Sequence, residues 1–246
     1  LAAAGAQAAG AVQPMFNFQP QAIVWDLDGT RVDSAPDLAT ALNSVLDMRG
    51  FFTLPLDEVR PMIGNGVAKL VERGFNAVGI RPDAAQLDHL VAMFVDEYKT
   101  CATDQTRPYP GVVEALQAIH GMNIPMGVCT NKPEGFTRQI LEGLGLAGFF
   151  SSVVGGDTTA TRKPDPEPLL ACLRGLVAEP ADSLMIGDSV HDVQAARAAG
   201  VTIGVVPWGY RSAPVEELGA DFVLEDLSGL AGMVRNAGQA LQQTAH

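Results

Sequence analysis

AIVWDLDGT, residues 22–30, sets the fold of this chain. Four apolar residues run straight into two acids spaced two apart, followed by Gly29 and Thr30. An apolar run that stops abruptly at acidic and glycine residues reads as the carboxyl end of a strand buried on both faces of a parallel sheet. Four later stretches have the same design: IPMGVCT (124–130), SSVVGG (151–156), SLMIGD (183–188) and VTIGVV (201–206). Helical text precedes each of them, as in GVVEALQAIHG, PEGFTRQILEGLG, DPEPLLACLRGL and VHDVQAARAAG, with glycine closing several of the helices. Strand alternating with helix predicts an open parallel α/β sheet.

Between about residues 33 and 107 the alternation stops. PDLATALNSVLDMRG, LDEVRPMIG, VAKLVERGFNAVG and AAQLDHLVAMFVDEYKTCA are helical in pattern, and no convincing strand interrupts them. This predicts an inserted all-helical cap over 33–107, bounded by the breakers DSAP and RPYPG (107–111), with the α/β core formed by 21–32 and 108–236. Residues 1–20 are Ala-rich and carry no Lys or Arg, so neither a secretory signal nor an organelle transit peptide fits them. They are expected to be a disordered tail, and 237–246 a second tail.

The 246 residues hold 28 acids against 16 Lys and Arg, a net charge of −12, and 47% are hydrophobic. So acidic a chain repels nucleic acid and anionic membranes, which excludes both as main partners. No apolar run approaches the length of a membrane helix. Cys101, Cys129 and Cys172 are scattered and show no CxxC spacing, the usage of reduced, mostly buried thiols in a cytoplasmic protein. The sequence leaves the choice between monomer and homodimer open.

Ligands of open α/β sheets bind outside the carboxyl ends of the strands. The polar residues that end these strands are therefore expected to share one site: Asp26 and Asp28, Thr130 and Asn131, and Asp188 with Asp192 close behind. Lys163 follows the 151–156 strand. An acid pair after a strand can be no more than a solvated loop, but here Gly29 permits a tight turn, Thr30 adds a hydroxyl, and a third acid arrives from another strand end. Converging carboxylates need a cation, and Mg²⁺ takes one or two of them together with phosphate oxygens and water. Three acids and one lysine fit metal-assisted phosphoryl transfer better than a structural cluster. Other motifs fail on spacing: GDSVH (187–191) lacks the final Gly of a G-x-S-x-G serine elbow, no G-x-x-x-x-G-K-[ST] occurs, and IGNGVAK (63–69) does not complete G-x-G-x-x-G.

DLDGT, the strand end at Thr130, Lys163 in RKPDPEP, and GDSVHD resemble the four motifs of the haloacid dehalogenase superfamily, in order and spacing, over about residues 22–235. Within it, DSAPDLATALN, IGNG, PYPGV, TNKP, KPDPEPL and VPWGY are similar to bacterial phosphoglycolate phosphatases. The resemblance implies a Rossmannoid parallel core with a helical cap, and a Mg²⁺-dependent hydrolase of a small phosphate monoester. It implies Asp26 as the nucleophile that forms an aspartyl-phosphate, and Asp28 as the acid and base. The metal would be held by the Asp26 and Asp188 carboxylates and the Asp28 backbone carbonyl. Thr130 and the Asn131 N–H would bind phosphoryl oxygens, Lys163 would hold nucleophile and phosphate together, and Asp192 would support Lys163 or a metal-bound water. The expected substrate is 2-phosphoglycolate. The alternatives are another small ester such as a sugar phosphate, then a phosphomutase, then a binding protein without turnover. A proton donor at Asp28 argues against the dehalogenase branch.

Arg31 departs from that pattern, since DGTRVDS stands where DGTLVDS is usual. It reads as a surface residue on the flap, or else as a cation that contacts substrate or alters closure of the flap. Asn65 and Gly66 form a turn that would dip toward the site. Arg60, Lys69 and Arg73 are cap cations that would either neutralise a substrate carboxylate or simply be solvated. His191 reads as a helix position and not a ligand, Cys129 as core, and Trp208 as rim or packing.

Overall fold

Burial on both faces is what the apolar text before Asp26 demands, and β1 (Ala22–Trp25) obtains it at the centre of a sheet. The computed structural model describes residue 16 and residues 18–210 and 214–244. After β1 come β2 (Val32–Asp33), the helices α1 (Ala35–Met48), α2 (Leu56–Val59), α3 (Val67–Ala77) and α4 (Ala84–Cys101), and β3 (Arg107–Pro108). Strand and helix then alternate through α5 (Val112–His120), β4 (Met126–Cys129), α6 (Glu134–Gly143), β5 (Ser152–Val154), α7 (Glu167–Leu176), β6 (Ser183–Gly187) and α8 (Val190–Ala199). The last elements are β7 (Thr202–Val205), β8 (Phe222–Val223) and α9 (Leu230–Thr244).

Six of these strands pair in parallel, in the order β5-β4-β1-β6-β7-β8. From β1 the chain builds outward to β4 and β5 on one side, then returns to β6, β7 and β8 on the other. That reversal makes the mouth above β1 the point where an α/β sheet opens a crevice for ligand. One face of the sheet packs Trp25, Leu116, Ile140 and Val234; the other packs Val24, Leu169, Cys172 and Val193.

The four helices between β2 and β3 have a hydrophobic cluster of their own. Leu38, Leu42, Val45 and Leu46 recur at helical spacing on α1 and meet Leu90, Phe94 and Tyr98 of α4. Phe136 of α6 joins this cluster edge-on to Tyr98 at 4.8 Å, so the helical block also touches the sheet domain.

Several boundaries differ from expectation. DSAP is a helix start and not a breaker, because Pro36 sits in the first turn of α1, where its missing N–H costs nothing. Chain entry and exit are strands, with Val32 opposite Pro108 and Asp33 opposite Arg107, and these two-residue pieces are too short to show a period of two. Within the expected tail over 1–20, Phe16 and Phe18 lie tilted with ring centroids 5.5 Å apart, and Phe16 packs 5.9 Å from Phe222. Residues 1–15 and 17 lie outside the described residues. The expected tail over 237–246 is helical to Thr244, within α9. Strand β8 was not foreseen, since Phe222 and Val223 alone make a short signal.

Asp37, buried in α1, ties the far end of the helical block. Its carboxylate accepts from the Gln105 N–H (2.9 Å), the Thr106 N–H (2.8 Å) and the Thr106 hydroxyl (2.7 Å). Asp37→Ala strands these donors in a buried place and should lower the unfolding free energy by about 2–4 kcal/mol, read from urea melts. A loss below about 0.5 kcal/mol would show that the tie contributes nothing.

Candidate active site

The Asp26 N–H donates to the Ile186 carbonyl at 2.9 Å, which carries the sheet pairing one residue past β1 and fixes the side chain at the mouth. There the Asp26 carboxylate lies 2.9 Å from the Lys163 ammonium. Lys163 also reaches Asp192 (2.6 Å) and the Cys129 carbonyl (2.7 Å). The second Asp192 oxygen accepts from the Asp188 N–H (3.2 Å), the Ser189 N–H (3.0 Å) and the Ser189 hydroxyl (2.6 Å). Ser189 and Asp192 thus form the capping box of α8, and the serine is a helix cap and not a nucleophile.

Asp188 accepts from the Thr30 hydroxyl (2.8 Å) and the Tyr210 N–H (2.7 Å). Gly29 is required beside it: its φ is +79°, and a Cβ there would come within 2.6 Å of the Asp188 carboxylate. A Cβ on Gly209 would likewise overlap Asp188. Backbone approaches this acid from two sides.

One oxygen each from Asp26, Asp188 and Asp192 lies within 4.8 Å of the others. Burial raises the Asp26 carboxyl to about 6, with Lys163 pulling it down and Asp192 pushing it up. Burial also raises Asp188 well above the usual range, helped by Asp192 and Asp26. Burial would raise Asp192 too, but Lys163 and the Ser189 bonds hold it below that range. Three carboxylates against one ammonium leave two negative charges uncompensated, the complement of a divalent cation. Asp26 and Asp188 fit that role, because Asp192 is already saturated by its own bonds.

The Asp28 carboxylate stands apart from this cluster. It accepts from Ser34 (2.5 Å) and from the buried Lys132 ammonium (3.1 and 3.3 Å), which also lies 4.7 Å from the Tyr98 ring of α4. The three-acid cluster therefore does not include the Asp28 carboxylate. Thr130 and Asn131 line the same cavity, and the Asn131 side-chain amide donates to the carbonyls of Lys163 (3.0 Å) and Gly64 (3.2 Å). Asn65 and Gly66 line it from the cap; the Asn65 amide meets His191 at 2.9 Å, so His191 joins core to cap. Trp208 donates to the Thr30 carbonyl at 3.3 Å and lies tilted against Tyr109, ring centroids 5.8 Å apart. The cavity measures about 320 Å³.

Lys132 and Tyr210 were missed in the sequence. Lys132 stands in TNKP, one residue beyond the expected phosphate-binding pair, where its charge offered a signal. Tyr210, whose hydroxyl donates to Asp33 (2.6 Å) and accepts from the Ala35 N–H (2.9 Å), acts through a fold contact that no spacing reveals.

Arg31 departs from its surface reading. It is fully buried, so it is no surface residue, and it does not line the cavity. The turn that bonds the Arg31 N–H to the Leu27 carbonyl (3.0 Å) accompanies a side chain folded inward, whose Nε donates to the Asp26 carbonyl at 2.7 Å. Its guanidinium lies 4.4 Å from the Phe150 ring, and burial lowers it to about 9.

A family model described as haloacid dehalogenase-like hydrolase matches residues 23–206. A curated phosphoglycolate phosphatase of Rhodospirillum rubrum is 46% identical over 217 residues, covering 86% of this chain and 89% of that protein. One from Caulobacter vibrioides is 43% identical over 202 residues, covering 82% and 85%. The crystal structure of a predicted phosphoglycolate phosphatase from Haemophilus somnus superposes with a TM-score of 0.82 at 29% identity, covering 87% of this chain and 98% of that one. Among the described residues no helix is long and apolar enough to cross a membrane. With its parallel sheet, its acid cluster at the strand ends and these matches, the chain belongs to the haloacid dehalogenase-like hydrolases.

Proposed function

We propose that this hydrolase cleaves 2-phosphoglycolate to glycolate and phosphate, with Mg²⁺ as cofactor and Asp26 as the nucleophile. The observation that carries the reading is the Asp26 carboxylate at the mouth of the central strand, 2.9 Å from a buried ammonium and beside a second acid left without a cation. The relatives named above supply the substrate. A cavity of about 320 Å³ sits at the small end of ligand pockets, which run from about 300 Å³ upward, and suits a small ester.

In this reading an Asp26 oxygen attacks phosphorus and the ester oxygen leaves, so one displacement becomes two easier ones through an aspartyl-phosphate. Asp28, oriented by Lys132 and Ser34, gives its proton to the departing alkoxide. Asp28 then takes a proton from the water that attacks the aspartyl-phosphate, releasing phosphate and restoring Asp26. Lys163, fixed by Asp192 and the Cys129 carbonyl, offsets the repulsion between carboxylate and phosphoryl oxygens. The Thr130 hydroxyl and the Asn131 N–H hold those oxygens, and Arg31 steadies the nucleophile through its backbone carbonyl. Asp26, Asp188 and the Asp28 carbonyl would hold Mg²⁺, which supplies positive charge to the phosphoryl group. The cap, by covering the mouth, excludes water. Three unpaired thiols support a reducing, cytoplasmic setting.

Asp26→Asn should cut phosphate release by about 10³-fold or more without lowering the melting temperature of the metal-free protein, because it removes a buried charge. A variant that retains activity would make Asp26 the wrong nucleophile. Saturating Mg²⁺ should raise the melting temperature of wild type, and Asp188→Asn should remove most of that rise; EDTA should stop turnover. No rise with Mg²⁺, together with EDTA-resistant turnover, would sink the cofactor assignment.

A further inference from the structure

Three cations line the cavity: Lys163, Lys132 and Arg73. Lys163 has Asp26, Asp192 and the Cys129 carbonyl around its three protons. Lys132 faces both oxygens of Asp28, with Tyr98 beneath it. The other cap cations named from sequence are committed too: Arg60 forms a two-pronged pair with Asp33 (2.8 and 2.9 Å), and Lys69 pairs with Glu72. Arg73, half-buried on α3, differs from all of them. Among the described residues it has no carboxylate partner, and its one hydrogen bond goes from an Nη to the Met62 carbonyl at 2.8 Å. That bond anchors the guanidinium to the cap while leaving the rest of its donor edge uncommitted.

An uncompensated cation lining a cavity is out of character for a chain of net charge −12. We infer that Arg73 is the residue that reads the carboxylate of the substrate, receiving it on the free edge of its guanidinium while the phosphoryl end lies against Asp26 and Lys163. This rests on the 2-phosphoglycolate reading and adds the specificity element to it. A planar fork matches a carboxylate with two parallel N–H···O bonds, which a lysine cannot reproduce. Arg73 belongs to the cap and the phosphoryl site to the sheet, so a substrate with two anionic ends bridges the two parts. Its charge also reaches His191, which burial lowers against the pull of Asp192, with Lys163 and then Arg73 adding to the lowering.

The test compares 2-phosphoglycolate with ethyl phosphate, the same ester with a methyl group in place of the carboxylate, on wild type, Arg73→Met and Arg73→Lys. Wild type should prefer 2-phosphoglycolate. In Arg73→Met the ratio of the two kcat/KM values should fall about 10-fold to 100-fold, mostly through the KM for 2-phosphoglycolate, with Arg73→Lys in between. If the two kcat/KM values fall together and their ratio holds, Arg73 merely supports the 62–66 loop and the inference is overturned while the substrate reading stands. If wild type itself shows no preference, the substrate reading fails and Arg73 has no carboxylate to read. Arg73→Lys retains a cation on the same helix, so it keeps the comparison decisive should the methionine variant fold poorly.

Discussion

Lys163 puts one ammonium between the carboxylates of Asp26 and Asp192, inside a site where water is nearly excluded. Removing either acid's partner there would leave a charge buried and alone, which is far more costly than any surface ion pair. Much of the molecule is arranged to make this contact hold. β1 and β4 deliver Asp26 and the Cys129 carbonyl, the start of α8 delivers Asp192, and the capping box at Ser189 fixes Asp192 in turn. Because one ammonium faces three acids, the cluster of Asp26, Asp188 and Asp192 could hold a metal ion as well.

A second pair, Asp28 with Lys132, repeats the principle and links the two parts of the molecule. The lysine is held on the sheet side, yet its ammonium lies over the ring of Tyr98, a residue of the helical block. Tyr210 makes a similar link, with its amide on Asp188 and its hydroxyl on Asp33 at the entry to the block. The position of the cap and the orientation of the acids are therefore coupled by direct bonds and not by proximity alone.

The sheet was legible because buried parallel strands are nearly pure apolar text, and β1, β4 and β6 run into polar residues at the mouth. Asp26, Thr130 and Asp188 could be gathered at one site from strand ends alone, and Lys163 from the loop that follows β5. Strands β2, β3 and β8 were not legible, since two residues carry no periodicity. The S-x-x-D spacing of Ser189 and Asp192 carries the signal of a capping box. Arg31 shows the limit most clearly: a long cation in a turn reads as surface, because nothing local reveals that Phe150 and the Asp26 carbonyl will enclose it. Lys132 was hidden for the converse reason, as its partner lies 104 residues away.

The most direct test of the proposed chemistry is to trap the covalent intermediate. p-Nitrophenyl phosphate has a leaving group that needs no proton, so Asp28→Asn should complete the first displacement and stall at the second. Mass spectrometry of the acid-quenched variant should find one phosphoryl group, mapped to the peptide that holds Asp26 and absent from the Asp26→Asn, Asp28→Asn double variant. A phosphoryl group on any other residue, or single turnover to free phosphate with none on the protein, would contradict the account.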